Sequence, residues 1–444
     1  MFKKLLIYIA LWYLKNAARI QLAKIKPKII GVAGSSGKSS LSNLIFAIIS
    51  EKFVTKQSQG KNSETGLPLD ILDISMKGVS VFDWIVVFCQ IPIQLLINWK
   101  RCEYYIAEMG IDGPKEPKNM SYLLSFLDPI IGIVTNVSLE HSVYFEPYVE
   151  EVDPLLKTKK ILDLTAEQET MLLLSLPKEG TVIVNLDDVH IARILKEIDS
   201  TKITVSLEKD ADLQGKDIDI SLSRFRMIIA YAGKNYPLTI SQPLPRHFAY
   251  EFLFALGVGV SLKIPLEECI TLLEKHFSLP NGRLSFFKGI KNTTLIDSTY
   301  NNATLPPILD ILDFVKMISG DRRKIAIIGD MRELGDASED AHRVLAKKIL
   351  QTVDYAIVIG PLSEQYIVPI LREASFSFED FPDVTSSKEA IVKLIKEGDV
   401  ILIKGSQNTL FLERVVEMLL ADKKDAIRLT RRGEFWDKKR LDVL

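Results

Sequence analysis

The stretch from Lys28 to Ser40, KIIGVAGSSGKSS, constrains this chain more than any other. Its first six residues have the length and apolar character of a buried strand. The residues after it, Leu41 to Ser50, repeat apolar side chains with the period of a helix. A strand that enters a helix through so short a Gly/Ser turn is a β–α unit. Such units build parallel sheets whose turns gather at the carboxyl edge. Gly34 and Gly37 let backbone N–H groups face an anion, and the helix start adds its positive end. Lys38 offers charge to outer phosphates, and the hydroxyl of Ser39 suits magnesium. Gly34 to Ser39 satisfy the short pattern GxxGK[ST], whereas Val32 stands where the longer pattern has glycine. The competing reading is a plain Gly/Ser turn.

Similar alternation runs through the chain. Further strands are expected at Tyr104–Ala107, Ile130–Thr135 and Thr181–Asn185, with Pro245–Phe277 mostly helical. After Asn281-Gly282-Arg283 a second series begins, with strands at Thr294–Asp297, Lys324–Gly329, Tyr355–Gly360 and Asp399–Lys404. The expected fold class is therefore α/β. A central ATP-binding domain with a mostly parallel sheet spans 29–280, and a C-terminal Rossmann-like α/β domain spans 281–444. Hydrophobic residues at 47% and charged residues at 25% fit a folded chain of this kind. A formal net charge of −1 argues against a general nucleic-acid binder. Cys89, Cys102 and Cys269 form neither a disulfide framework nor a zinc motif, so they read as packing residues in a reducing cytoplasm.

Residues 1–28 are expected to form an apolar, amphipathic N-terminal helix. The run Leu5–Leu14 is too short to span a bilayer, which takes ~20 apolar residues. The basic sequence after it offers no cleavage site. Two readings stay open: a helix docked on its own protein, and an interfacial helix at the inner face of an anionic membrane. A second apolar stretch, Val79–Trp99, is interrupted by Asp83, Gln90, Pro92 and Gln94 and reads as buried or interfacial structure.

Two acids and a histidine extend the phosphate-loop reading. Glu108 closes the 104–107 strand, where a side chain points into the ligand crevice of an α/β sheet, so it is a magnesium-ligand candidate. Asn136 ends the next strand. His141, five residues later, is either a metal ligand or a satisfied loop histidine. His190, His247, His276 and His342 show no ligand spacing among themselves.

The order of these motifs resembles the Mur ligase family of ATP-dependent amide-bond-forming enzymes. The resemblance rests on GSSGKSS at 34–40, AEMG at 107–110, TNVSLEH at 135–141, NLDD at 185–188 and NGR at 281–283. It continues with DSTYNNA at 297–303, GDMRELG at 329–335 with His342 after it, and KGS at 404–406. The segments GDMRELG, DSTYNNA and GKNSETGLPLDIL (60–72) are similar to the branch that adds D-alanyl-D-alanine to UDP-N-acetylmuramoyl-tripeptide in peptidoglycan precursor synthesis. The resemblance implies ATP and Mg2+ as cofactors, those two substrates as partners, a monomer, and an acyl-phosphate intermediate. It implies that Gly34, Ser35, Ser36, Gly37, Lys38, Ser39, Ser40 and Asn136 surround the nucleotide. Ser39 and Glu108 would serve one magnesium and His141 another. Arg283 would reach the transferring phosphate and Asp297 the ribose. Asn301, His342 and Ser406 would lie near the incoming amine.

Three departures from the family pattern stand out. Only 33 residues precede Gly34, where this branch usually has a domain that binds the UDP moiety. The place of a lysine that relatives carbamoylate for the second magnesium, counted back from Leu176-Pro177 and Asn185, falls on Glu169. Glu169 reads either as a built-in carboxylate ligand or as a helix-surface acid. In the adenine-contacting helix, Glu251 stands where relatives have asparagine, and an ionised carboxylate accepts but does not donate. Two other functions stay open: an amide ligase of this family with a non-UDP acceptor, and a nucleotide-binding scaffold.

Overall fold

The computed structural model describes residues 2–58, 60–76, 78, 80–139, 142–221, 224–279, 281–300, 305–406, 410–433, 436 and 438–439. His141 and Asn301, both expected at the site, lie outside them. Contact density divides the chain into two compact units. One comprises Met1–Asp217, Met227–Leu238 and Ala249–Phe277; the other comprises Ile218–Arg226, Thr239–Phe248 and Ser278–Leu444.

The first unit is built on β1 (Lys28–Ala33), β2 (Thr55–Gln57), β3 (Tyr104–Glu108), β4 (Pro129–Val134), β5 (Thr181–Asn185) and β6 (Thr201–Ser206). Beyond them come β7 (Leu213–Ile220), β8 (Phe225–Tyr231) and β9 (Lys234–Ile240), and the nine-stranded order is β2-β3-β1-β4-β5-β6-β7-β8-β9. The strands from β2 to β7 pair in parallel. All residues of β1 but the first are buried, as a central strand covered on both faces requires. Strands β6 to β9 had no counterpart in the sequence reading. Their polar alternation, LQGKDIDI in β7, gives no continuous apolar run to detect.

Chain order reverses at β1, which has β3 on one side and β4 on the other. Helix α1 (Phe2–Ile25) precedes β1, and α2 (Lys38–Ile49) follows it, so the carboxyl ends of these strands open a crevice at the start of α2. Helix α2 buries Leu41, Leu44, Ile45 and Ile48 at three- and four-residue spacing, each burial contributing about 1.5–3 kcal/mol. Helix α1 is no separate module. Leu11 and Ala18 share the core of this unit, and α1 packs on the short helix α3 (Gly66–Ile71). Helix α4 (Val81–Ile97) is the apolar stretch noted above. Of its residues only Val87 and Ile91 are buried, so the buried reading of that stretch does not hold.

The second unit carries β10 (Ser285–Lys288), β11 (Thr294–Ser298), β12 (Lys324–Gly329), β13 (Tyr355–Ile359), β14 (Phe378–Phe381) and β15 (Val400–Lys404). The sheet order is β10-β11-β15-β12-β13-β14, with β10 antiparallel to β11 and the rest parallel. The carboxyl ends of β11, β15 and β12 thus meet at a second edge.

A buried ion pair fixes that edge. Arg431 donates to Glu413 Oε2 at 2.8 Å, both side chains being almost wholly enclosed. The same guanidinium donates to the carbonyls of Thr299 and Tyr300 at 3.1 and 3.2 Å. Removing one partner leaves a buried charge uncompensated. Arg431→Leu is accordingly expected to lower stability by about 3–5 kcal/mol in urea unfolding of the whole chain. A midpoint equal to wild type would show that the pair does not secure this edge.

Candidate functional site

Gly34 and Gly37 have φ of 118° and 81°, the left-handed region that a side chain disfavours. A Cβ on Gly34 would also lie 2.1 Å from Thr135 Oγ1. Gly37 precedes α2 without any side-chain cap, which leaves the first amides of the helix facing the loop. Val32 is buried within β1, so the loop begins at Gly34 and takes the short form of the pattern.

The loop is lashed to the end of β4. The Ser35 amide donates to the Asn136 carbonyl at 2.9 Å, and the Ser36 amide to Asn136 Oδ1 at 3.0 Å. Asn136 Nδ2 donates back to the Ser36 hydroxyl at 2.8 Å, and the Thr135 hydroxyl donates to the Ser36 carbonyl at 2.6 Å. The Ser138 amide donates to the Ser35 hydroxyl at 2.8 Å. Asn136 thus shapes the loop directly, a role carried by tertiary geometry. Lys38 folds its ammonium over the loop, donating to the carbonyls of Gly34 and Ser35. Ser40 is buried within the first turn of α2.

Three carboxylates converge on this loop. The Ser39 hydroxyl donates to Glu108 Oε2 at 2.8 Å, and Glu108 is 2% exposed. The Glu108 amide in turn donates to the hydroxyl of Ser58, a buried residue that no sequence pattern marks. Glu169, on the helix Pro154–Leu174, accepts the Gly34 amide at 2.7 Å and is 3% exposed. The surface-acid reading of Glu169 is therefore overturned: the side chain lies under the loop. Glu251 also comes to the loop, for a Cβ on Gly37 would lie 3.2 Å from its Oε1. The NLDD segment is structural. Asp188 caps the helix Val189–Arg193 and accepts the Val137 amide. Asp187 accepts from the Ser206 hydroxyl, the Leu207 amide and the Tyr250 hydroxyl. Burial raises the Asp187 pKa, and those donors outweigh it, leaving the carboxyl below its ordinary value.

Ser39 Oγ and Glu108 Oε2 form a pair of hard oxygen donors at the loop, which fits magnesium. Among the described residues no three His, Cys, Asp or Glu side chains group around a metal position. That suits an ion that keeps waters and phosphate oxygens in most of its shell.

At the edge of the second unit, Asp330 follows β12 and accepts the Ser363 amide at 2.8 Å. The Ser406 amide donates to the Asp330 carbonyl at 2.9 Å, and the Arg332 amide donates to the Ser406 hydroxyl at 2.9 Å. His342, expected near the incoming amine, packs into this turn. It is fully buried, its Nε2 accepts the Met331 amide at 3.1 Å, and its Nδ1–H donates to the Ser338 carbonyl at 2.7 Å. Burial holds its pKa below the ordinary histidine value, so it stays neutral and pins the GDMRELG turn. Ser406 is likewise buried, at 4% exposure, with its hydroxyl oxygen committed to that turn. Arg283 is half-buried, its guanidinium 5.3 Å from the centroid of the Tyr300 ring.

Asp297 is the last residue but one of β11, fully buried. Its Oδ1 accepts from the amide and hydroxyl of Thr299 at 3.1 and 2.8 Å; its Oδ2 has no hydrogen-bond partner among the described residues. Burial pushes its pKa up from 3.8 to about 6, against the lowering effect of Thr299.

Two family models match the chain. The Mur ligase middle domain matches residues 32–259, and the Mur ligase glutamate ligase domain matches residues 282–407. The chain belongs to the Mur ligase family. It is similar to the UDP-N-acetylmuramoyl-tripeptide–D-alanyl-D-alanine ligase of a Synechocystis species, at 27% identity over 402 residues, covering 89% of this chain and 75% of the relative. The enzyme of the same name from Bacillus subtilis is 22% identical, covering 92% and 79%. Among solved structures, MurF from Acinetobacter baumannii superposes with a TM-score of 0.73 at 17% identity, covering 91% of this chain and 79% of that one. MurF from Thermotoga maritima in complex with ADP gives 0.72 at 18% identity, covering 94% and 84%. These likenesses establish the Mur ligase fold with its mostly parallel sheets.

Asp297 provides a test that needs no substrate. Its folded pKa lies above its unfolded value, so the folded state holds more protons between the two, and stability falls as pH rises through that window. Asp297→Asn removes that slope. From about pH 4.5 to about pH 7.5 the wild type is expected to lose ~2 kcal/mol relative to the variant in thermal unfolding. Parallel profiles would show that Asp297 is not a strained buried carboxyl.

Proposed function

We propose that this chain is an ATP-dependent, ADP-forming amide ligase that joins D-alanyl-D-alanine to UDP-N-acetylmuramoyl-tripeptide in the cytoplasm. The observation that carries the reading is the phosphate loop with its Ser39–Glu108 pair, set at the carboxyl edge of a Mur ligase middle domain. The enzymes named for that reaction match this chain over 89% or more of its length.

The chemistry follows from the donors on hand. A substrate carboxylate oxygen attacks the γ-phosphorus, ADP departs, and an acyl phosphate results. The amine then attacks the acyl carbon, loses its proton and expels inorganic phosphate. Charge builds on the transferring phosphoryl oxygens, which preorganised amides and cations stabilise. The amides at the helix start, Gly37 to Ser40, and the Lys38 ammonium supply this in the first unit, on a loop whose Gly34, Ser35 and Ser36 amides are held by Glu169 and Asn136. Arg283 is assigned to the transferring phosphate and Asp297 to the ribose hydroxyls. Ser39 and Glu108 would hold one magnesium ion, and His141 with Glu169 a second; bound there, magnesium would offset phosphate charge. Asn301 remains assigned to the amine, whereas His342 and Ser406 position the turn beside it.

Inorganic phosphate release separates the possibilities. The expected outcome is release that requires ATP, UDP-N-acetylmuramoyl-tripeptide and D-alanyl-D-alanine together. Release only with an acceptor lacking UDP would shift the reading to another amide ligase of this family. Nucleotide binding without release for any pair would leave a scaffold.

Glu169 has its own test. Glu169→Gln keeps an oxygen for the Gly34 amide while removing the charge. It is expected to raise the magnesium concentration needed for half-maximal turnover by about tenfold, the weight of one lost charged ligand. An unchanged magnesium profile would restrict Glu169 to holding the loop.

A further inference from the structure

Helices α1 and α4 invert the usual surface rule. The outer face of α4 exposes Val81, Phe82, Ile85, Val86, Ile93, Leu96 and Ile97, with Val81 at 79% and Leu96 at 76%. Its only charged residue, Asp83, is tied into a capping box with Ser80 at the helix start. A 17-residue surface helix ordinarily turns polar side chains to water, and one apolar on its outer face has another neighbour.

Helix α1 widens that face. Tyr13 packs edge-on against Phe88 with ring centroids 5.7 Å apart; further on, Lys24 donates to the Leu95 carbonyl and Gln21 to the Asn98 carbonyl. The two helices therefore run in the same direction with their starts together. Ile7, Tyr8, Ile9 and Trp12 of α1, each more than half exposed, extend the apolar start of α4.

Charge identifies the occupant. The first 28 residues hold seven lysines and arginines and no acid, although the whole chain is −1. The remainder is therefore −8. Trp12 and Trp99 stand exposed beside this surface, and the Lys24 ammonium sits 4.6 Å over the Trp99 ring. Apolar side chains flanked by interfacial aromatics and by a segment that carries cations and no acid match the chemistry of an anionic lipid surface. A second copy fits poorly, because a two-fold contact would set this basic segment against itself. No helix among the described residues is long and apolar enough to cross a bilayer.

We propose that the α1–α4 face is a peripheral membrane-docking surface that inserts its apolar side chains among anionic phospholipids. The test is co-sedimentation of the full chain with vesicles of phosphatidylglycerol and phosphatidylcholine, and with phosphatidylcholine alone. Binding is expected to the anionic vesicles, to weaken with salt, and to shift tryptophan emission to the blue. Phe82→Asp, at a side chain 71% exposed, is expected to reduce partition by about tenfold, the weight of one buried aromatic. Its circular dichroism and ADP binding should stay at wild-type level. A second variant, Trp12→Ser, should abolish most of the emission shift. Absence of sedimentation with anionic vesicles overturns the proposal. So does concentration-dependent dimerisation that Phe82→Asp abolishes while vesicle binding persists.

Discussion

The lashing of the phosphate loop to its neighbours is the interaction on which the first unit's site depends. A loop with two left-handed glycines and several unpaired amides has no shape of its own. Here Thr135 and Asn136 accept and donate across to Ser35 and Ser36, while Glu169 takes the Gly34 amide from below. Strand β4 and the helix Pro154–Leu174 thus set the loop's conformation before any phosphate arrives. That preorganisation is what makes backbone dipoles effective toward developing charge, since none must be reoriented during the reaction.

The second unit reaches the same end with buried polar groups. Neutral His342 and Ser406 hold the Met331–Arg332 turn by its amides, and Arg431 holds the Thr299–Tyr300 carbonyls while neutralised by Glu413. Each is a polar side chain taken out of water and satisfied by backbone. A motif residue in such a place shapes its site without touching a ligand. His342 shows why conspicuous polar residues in a motif need geometry before a role: a fully buried ring with both nitrogens engaged has nothing left to offer a substrate.

The α1–α4 surface obeys a different logic. The sheet of the first unit needs cover, and α1 contributes to it through Leu11 and Ala18. Docking on its own protein and facing a lipid surface were posed as rival readings of this helix. The docked reading holds for one face, where Leu14 and Ala17 join Val87 and Ile91 of α4; the other face, with Trp12 and Ile20 exposed, is the one proposed to meet lipid.

Much of the fold was legible because local physics decides it. The run from Lys28 to Ser40 read as a strand, a Gly/Ser turn and the start of a helix from its apolar period and glycine spacing alone. Strands β11, β12, β13 and β15 were equally plain, being continuous apolar runs bounded by turn residues. The extension β6–β9 was not, because half-exposed strands mix polar and apolar residues without a marked run. At the site, sequence alone named Lys38, Ser39 and Glu108 together. It was silent on Ser58 and on the Arg431–Glu413 pair, and it left Glu169 divided between a metal ligand and a helix-surface acid. Those assignments depend on which residues distant in the chain become neighbours and how completely water leaves them, and only the packed tertiary structure fixes either.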